Sequence, residues 1–222
     1  MLKEIHRAID EIYPEMVEIR RYLHQHPELS HQEIQTANYI ADYYKKLEIP
    51  YQTKVGGNGV LATLKGGKPG KTIALRADFD ALPIQDEKDV PYKSKVPGVM
   101  HACGHDGHTA TLLTLAKVMK QHQNELEGTI IFLHQHAEEY APGGAKPILE
   151  SGALEGADAV FGTHLWATLP LGVMHTSRSA FMAGGGPVEK YQQRQGGRGA
   201  HPHIKKKRKL FGGEGVSTPS PK

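Results

Sequence analysis

The first apolar pattern along the chain has helical spacing. From Leu2 to Leu23 the apolar side chains fall three or four residues apart, which predicts an amphipathic helix. Pro14 lies inside this segment and is expected to bend the helix, whereas Pro27 ends it. The pattern therefore indicates one long helix that buries a single face.

A second helix is predicted directly after the first. Ser30 and Glu33 have the spacing of a capping box, in which each side chain bonds the backbone N–H of the other residue. Apolar positions between Ile34 and Tyr44 then continue at helical spacing.

Short apolar runs alternate with helical segments over the next part of the chain. The predicted strands are 59–64, 72–75, 129–133, 159–163 and 172–175, and the predicted helices are 109–122 and 145–149. This alternation favours an α/β fold, with a mostly parallel central sheet flanked by helices. In such a sheet ligands bind beyond the carboxyl ends of the strands, so polar residues directly after strands are candidate functional residues.

Charge divides the sequence of 222 residues into two parts. Residues 1–185 hold 18 Lys and Arg against 22 Asp and Glu, whereas residues 186–222 hold 9 against 2. We expect a folded body over 1–187 and a basic, disordered tail at the end of 188–222. The sequence has no long apolar run, no signal-peptide pattern and one cysteine, which predicts a cytoplasmic protein without membrane contact.

Metal-binding side chains follow the predicted strands. The clusters are 76–80, 101–108, 134–139 and His164. Their Cys, His and Glu residues are the types that bind borderline divalent metals. Cys103 is the single cysteine, and it lies two residues before His105 at a predicted strand-to-helix junction. This placement favours a metal ligand over a buried apolar cysteine.

Other polar residues in these regions have more than one interpretation. Glu138 and Glu139 fit a solvated helix start, which the helix dipole would stabilise, or a pair in which one carboxylate binds metal and the other acts as a base. His24 and His26 fit turn residues better than ligands. The basic run 205–209 could contact phosphates, but no base-stacking or groove-reading motif accompanies it, so no nucleic-acid partner is expected.

Five ordered motifs together resemble one enzyme family. They are RYLHQHPE at 21–28, LRADFDALP at 75–83, MHACGHDGHTA at 100–110, QHAEE with a later glycine pair at 135–144, and GTH at 162–164. The chain resembles the dinuclear metal-dependent N-acyl-amino-acid amidohydrolases, which include hippurate hydrolases and auxin-conjugate hydrolases. This resemblance covers about residues 1–187 and implies a zinc-exopeptidase-like catalytic domain.

The resemblance also implies roles for the matching side chains. The implied ligands of two divalent ions, with Zn, Mn, Co and Ni not distinguished, are Cys103, His105, Glu139 and His164. Glu138 is the implied general base, which takes a proton from a metal-bridging water and passes it to the leaving amine. Asp80 or Asp78 is implied to orient a ligand. The implied reaction converts an N-acyl-L-amino acid to a carboxylate and an amino acid.

The C-terminal part departs from the pattern of this family. Its members continue through a lid domain, by which they often dimerise, and then return to the catalytic domain with a last His ligand. Residues 196–203 resemble the start of the lid, but Arg198 stands where the family has a His that reaches the transition-state oxyanion. These differences indicate a C-terminally truncated member. An inactive fragment that binds metal weakly is the alternative to an active amidohydrolase.

Overall fold

Helices and strands alternate along residues 2–176, the part of the chain that this computed structural model describes. The helices are α1 (Leu2–Gln25), α2 (Ile34–Lys46), α3 (His105–Gln121) and α4 (Ala145–Glu150), with a 3₁₀ turn at Gln123–Glu125. The strands are β1 (Tyr51–Val55), β2 (Gly59–Lys65), β3 (Lys68–Asp78), β4 (Glu127–Gln135) and β5 (Ala159–Gly162). The chain divides into two units, Met1–Leu169 and Pro170–Lys222. All of these elements belong to the first unit.

The five strands form one sheet in the order β1-β2-β4-β3-β5. Strand β3 pairs in parallel with β4 and with β5, so Leu75 lies between Phe132 and Phe161. The pairs β1–β2 and β2–β4 are antiparallel. The predicted α/β class with flanking helices is confirmed. The described sheet is mixed rather than mostly parallel, because its parallel part is confined to β4, β3 and β5.

Strand β1 explains why the sheet differs from the prediction. Four of its five residues are exposed, so the segment Tyr51–Val55 lacks the apolar run by which the other strands were predicted. Only three residues separate it from β2, and a connection this short permits antiparallel pairing alone. Strand β2 itself is buried on both faces, a pattern typical of parallel strands that does not reveal strand direction.

One predicted helix boundary changes, and one predicted strand does not form. Helix α3 begins at His105 rather than at residue 109, after Gly104 in a left-handed conformation (φ 90°). The strand predicted at 172–175 is wrong: these residues form no strand, and all of them are exposed. Within the described residues no neighbouring strand pairs with this segment, so its backbone gains no ladder of hydrogen bonds.

Helix α2 starts without the predicted capping box. Glu28 caps it instead, since its carboxylate accepts the backbone N–H groups of Gln35 at 3.1 Å and Thr36 at 2.8 Å. The capping-box prediction for Ser30 and Glu33 is therefore wrong. Both side chains bond loops at the strand ends, where they serve tertiary structure rather than the first turn of the helix.

The longest helix, α1, buries one face as its pattern predicted. Ile5, Ile19 and Leu23 are buried, and the helix continues through Pro14. Its other face is polar and exposed. Across residues 2–176, no helix combines the length and apolar composition needed to cross a bilayer.

Apolar side chains cover both faces of the sheet. On one face, α1, α2 and α3 pack around Val60, Leu64 and Phe132. On the other face, Leu61 and Ile148 of α4 belong to a second apolar cluster. Burying a side chain of this size stabilises the fold by roughly 1.5–3 kcal/mol relative to exposure. The two layers hold the carboxyl ends of β3, β4 and β5 at one edge, beside the start of α3.

Candidate metal centre

Side chains from four loops meet at the carboxyl edge of the parallel strands. They are Asp80 after β3, Cys103 and His105 at the start of α3, Glu138 and Glu139 after β4, and His164 after β5. We call these six residues the strand-end cluster. Because β3 pairs in parallel with β4 and β5, the loops that follow these three strands lie at the same edge of the sheet.

His105 lies at the middle of the strand-end cluster. Its ring is fully buried, and Nδ1 lies 2.9 Å from the backbone oxygen and 3.2 Å from Oδ1 of Asp80. Nδ1–H therefore donates, which leaves the lone pair on Nε2. Nε2 is buried but has no hydrogen-bond partner. Because such a group costs about 1–3 kcal/mol when left unpaired, its position suits a bound cation.

Three groups of potential donor atoms share His105; one adds Asp78 and His108, and the other two add residues predicted for the metal site. Of these two, the first is Cys103, His105 and His164, the second is His105, Glu138 and Glu139, and within each group the donor atoms lie within 4.8 Å of one another. The Cys103 Sγ lies 3.3 Å from His164 Nε2. His105 Nε2 lies 3.7 Å from Glu139 Oε1 and 4.0 Å from Glu138 Oε2. The residues predicted as metal ligands are thus brought together.

The electrostatics of the cluster also suit a cation. Burial raises the pKa of Glu138, Glu139 and Cys103, although the nearby His105 opposes the shift in each case. The Oε1 atom of Glu139 is buried without a partner. A divalent ion would stabilise the deprotonated forms and so lower these pKa values. Sulfur, imidazole and carboxylate donors together fit a borderline ion such as Zn²⁺.

Asp80 and Asp78 differ in what they contact, which the sequence left open. Asp80 bonds His105, and its Oδ2 accepts the backbone N–H of Glu139 at 2.9 Å and the hydroxyl of Ser30 at 2.6 Å. Burial raises the pKa of Asp80, but the hydrogen bonds from His105 and Ser30 outweigh it and hold the pKa below its ordinary value. One carboxylate therefore orients two predicted ligands from different elements.

Asp78 orients a different histidine. Its Oδ1 lies 2.6 Å from His108 Nδ1, and its Oδ2 accepts from Arg76 Nη1 at 2.6 Å. The Nε2 atom of His108 accepts the backbone N–H of Leu165 at 2.8 Å. Asp78 thus acts through His108 on the loop that carries His164.

The loop after β5 fixes the orientation of His164. Its Nδ1 donates to the backbone oxygen of Leu165 at 2.6 Å, which leaves Nε2 facing Cys103. Leu165 packs against Gly104, where an added Cβ would lie 3.3 Å from the Leu165 Cβ. Glycine at this position permits both the left-handed turn into α3 and this close approach.

The sequence match decides which family builds this site. Residues 74–207 match Peptidase family M20/M25/M40. The chain belongs to this family. The predicted family resemblance is confirmed, and the geometry described above is the strand-end geometry of an M20 chain.

Curated M20 relatives include amidohydrolases. YhaA of Bacillus subtilis (strain 168), assigned as an amidohydrolase, is 59% identical over 216 residues, which are 97% of this chain and 54% of that protein. The N-acyl-L-amino acid amidohydrolase of Geobacillus stearothermophilus is 45% identical over 207 residues, 90% of this chain and 54% of that protein. The chain therefore spans about half the length of these M20 relatives.

A solved M20 structure shares the fold. The crystal structure of Bacillus subtilis YXEP, described as a dinuclear metal binding peptidase, matches with a TM-score of 0.69 at 44% identity. The match covers 72% of this chain and 45% of that one. The α/β arrangement is therefore that of an M20 peptidase.

Several supporting residues of the M20 site were assigned no role in it from the sequence, although two of them lie inside the candidate clusters 76–80 and 101–108. They are Ser30, Glu33, Arg76 and His108. His108 lies one helical turn after His105, and Arg76 lies two residues before Asp78 on the same strand, so both spacings could have indicated them. Ser30 and Glu33 contact the site from a distant part of the chain, and no local pattern reveals that. Arg198, which stands where the family has the oxyanion histidine, lies outside the described residues.

A second cluster of histidine and carboxylates corrects one prediction. His24 is not a turn residue: it lies in α1, is buried, and its Nδ1 lies 2.7 Å from Asp106 Oδ2. Its Nε2 lies 3.3 Å from Asp86 Oδ2. Helix α1 continues to Gln25, so His24 falls on its buried face. We call His24, Asp86 and Asp106 the helix cluster.

Proposed function

We propose that this M20 chain hydrolyses the amide bond of N-acyl-L-amino acids and releases a carboxylate and a free amino acid. One observation carries the proposal: adjacent carboxylates of Glu138 and Glu139 both lie within 4.0 Å of the buried, unpaired Nε2 of His105. This arrangement lets one carboxylate bind a metal ion while its neighbour moves protons. The name of the Geobacillus stearothermophilus relative supports the substrate class.

Four side chains would hold two divalent ions at this edge. They are Cys103, His105, Glu139 and His164. Bound ions would polarise the amide carbonyl and lower the pKa of water. The unpaired buried atoms of His105 and Glu139 support this assignment. The mixed donor set suits Zn, Mn, Co and Ni, so metal analysis has to identify the ion.

Glu138 is the proposed general base. Its side chain is 40% exposed, against 17% for Glu139, so it is the carboxylate more accessible to water and substrate. Burial raises the pKa of Glu138, although the nearby His105 opposes the shift. A carboxylate with a raised pKa is a stronger base when it is ionised. Glu138 would take a proton from water as the water oxygen attacks the amide carbon. It would give that proton to the amide nitrogen as the C–N bond breaks.

Release of amino acid from N-acetyl and N-benzoyl amino acids tests the proposal. We expect the chain loaded with Zn²⁺ or Mn²⁺ to release free amine, and a chelator to stop the release. Glu138→Gln should lower the rate by about 10²–10⁴-fold with the bound metal retained, because Gln cannot accept a proton.

Glu150→Gln is the matched control, because Glu150 is an exposed carboxylate that pairs only loosely with Lys146, at 3.7 Å. We expect it to keep the full rate. Release that persists in Glu138→Gln would contradict the proposal. Bound metal without any release of amine would contradict it as well, and would support the alternative of an inactive, metal-binding fragment.

A further inference from the structure

We propose that Glu33 is a positioning residue that holds the turn carrying Glu138 and Glu139 in its metal-binding form. The inference rests on the proposed function only for the roles of those two glutamates. Glu33 lies just before α2, more than a hundred residues earlier in the chain, and its side chain is fully buried. Its side chain contacts the loop after β4, which lies 104 residues later in the sequence.

The Glu33 carboxylate bonds two N–H donors. One oxygen accepts the backbone N–H of Ala137 at 2.8 Å, and the other accepts the side-chain amide of Asn58 at 2.9 Å. A buried carboxylate without such donors is strongly unfavourable. The bond to Ala137 therefore matters both to Glu33 and to the backbone of the turn.

Ala137 adopts a backbone conformation that needs support. Its φ is 47°, in the left-handed region that residues with a Cβ disfavour. Its N–H is held by Glu33, and its carbonyl accepts the N–H of Gly144 at 3.0 Å. Strained backbone persists only where the surrounding structure fixes it. Because Ala137 directly precedes Glu138, its φ sets the direction in which the chain leaves β4.

Two buried carboxylates thus hold the turn from both sides. Glu33 binds the N–H before the glutamate pair, and Asp80 binds the N–H of Glu139 within it. Asp80 also bonds His105, so it touches predicted ligands directly. Glu33 acts one step further away, through Ala137. Without it, Ala137 would relax to negative φ and turn both glutamates away from His105.

Glu28 offers a matched comparison for Glu33. It also accepts two N–H donors at the start of α2, the backbone amides of Gln35 and Thr36. Its bonds support the helix, whereas those of Glu33 support the turn after β4. A merely structural role predicts similar consequences for the two residues, and a positioning role predicts different ones.

Zinc affinity of the chain, measured by competition with a chromophoric chelator, tests the proposal. We expect Glu33→Ala to weaken Zn²⁺ binding about 10–100-fold, as is usual when a residue that orients a ligand is lost. Glu28→Ala should change it by less than about threefold. Adding Ala137→Gly to Glu33→Ala should recover at least about threefold, because glycine adopts positive φ without strain. Equal losses for the two glutamates, or no recovery, would overturn the proposal.

Two conservative variants keep the test decisive if Glu33→Ala does not fold. Glu33→Gln keeps the length of the side chain, so its oxygen can bond Ala137 while its amide group bonds a reversed Asn58 amide. Glu33→Asp keeps the charge but is one methylene shorter and withdraws from Ala137. We expect tighter Zn²⁺ binding in Glu33→Gln than in Glu33→Asp. The opposite order would show that charge, and not position, is what Glu33 supplies.

Amide hydrogen exchange in the metal-free chain separates this inference from the proposed function. Glu33→Asp should speed exchange at Ala137 and Glu139, whereas Glu28→Ala should leave both rates unchanged. Unchanged rates at Ala137 in Glu33→Asp would overturn the positioning role. A chain that binds no Zn²⁺ would contradict the proposed function, and the exchange rates would still decide the role of Glu33.

Discussion

The strand-end cluster and the helix cluster contain the same residue types, but their histidines differ in their hydrogen-bond partners. Both contain a buried histidine beside buried carboxylates, and the consecutive residues His105 and Asp106 belong one to each. In the helix cluster both nitrogens of His24 have partners: Nδ1 lies 2.7 Å from Asp106 Oδ2, and Nε2 lies 2.9 Å from Lys88 Nζ and 3.3 Å from Asp86 Oδ2. In the strand-end cluster Nε2 of His105 has no partner. The ring of His24 thus has no nitrogen left free for an ion, whereas the ring of His105 has one, although Oδ1 of Asp106 in the helix cluster also lacks a partner.

The donor geometry makes the same distinction. Among residues 2–176, each group of three potential metal donors contains His105, and none contains His24. The two carboxylates of the helix cluster bond different nitrogens of the His24 ring, so their oxygens do not face a common point. We infer that the helix cluster stabilises the fold and that the strand-end cluster is arranged for chemistry.

Removing the histidine of the helix cluster should have the largest effect on stability. His24→Ala leaves Asp86 and Asp106 buried without the imidazole between them, and should lower the free energy of unfolding by about 3 kcal/mol. Zn²⁺ affinity should change by less than about threefold. Urea denaturation and zinc titration of the same variant measure both quantities. A large loss of affinity with little loss of stability would reverse the assigned roles.

Neutralising one carboxylate of the strand-end cluster should weaken metal binding strongly and leave the stability of the fold nearly unchanged. Glu139→Gln replaces a charged donor by a neutral amide and should weaken Zn²⁺ binding by at least about 100-fold, or 2.7 kcal/mol. The stability of the metal-free chain should stay within about 0.5 kcal/mol, because Oε1 of Glu139 has no partner to lose. Equal affinities for Glu139→Gln and Glu138→Gln would contradict the division of labour between the two glutamates.

The helix cluster should also give stability that depends on pH. Burial raises the pKa of Asp86, but the backbone N–H groups of Ser94 and Lys88, the charge of Lys88 and His24 outweigh it and lower the pKa to about 2 from an ordinary 3.8. Because the folded state favours the ionised form, this stability is present above about pH 4 and is lost as the pH falls towards 2. Its size at pH 7 is about 2 kcal/mol.

Asp86→Asn tests this dependence. The variant should be less stable than the unchanged chain at pH 7, and the difference should shrink as the pH falls from about 4 to 2. Urea denaturation at a series of pH values measures it. A difference that stays constant with pH would mean that the charge of Asp86 contributes nothing.

The two aspartates at the carboxyl end of β3, Asp78 and Asp80, should give the smallest effects on metal binding. Asp80 bonds two predicted ligands, so Asp80→Asn should weaken Zn²⁺ binding by about 10-fold or more. Asp78 bonds His108 and approaches His105 Nε2 no closer than 3.5 Å, so it bonds no predicted ligand and Asp78→Asn should cost about threefold. Zinc titrations of both variants compare them directly. A larger loss for Asp78→Asn would contradict the assignment of Asp80 as the main orienting carboxylate.

The sequence predicted the strand-end cluster better than the residues that hold it. His164 was indicated because it follows an apolar run, and Cys103 and His105 by their spacing before a predicted helix. The strand expected directly before that helix is wrong, since no strand lies between β3 and α3. The partners of Glu33 and Ser30 depend on how α2 approaches β3 and β4, and spacing along the chain does not encode that approach. For the same reason the local capping-box pattern was misleading.

The sheet was predicted unevenly for a related reason. Strands β3, β4 and β5 were identified by their apolar runs, and their parallel pairing follows from the helices between them. Strand β1 has a polar sequence and its place depends on pairing with β2. Apolar patterns report burial, whereas strand direction and edge strands depend on tertiary contacts.

The most direct test of the metal centre is a Co²⁺ titration followed by absorption. Co²⁺ takes the same donors as Zn²⁺ and gives a sulfur-to-metal charge-transfer band when a thiolate binds. We predict that the chain develops this band, that Cys103→Ser binds Co²⁺ more weakly and lacks the band, and that Glu150→Gln behaves as the unchanged chain. Absence of Co²⁺ binding, or the same spectrum in Cys103→Ser, would contradict the proposal that the strand-end cluster binds metal.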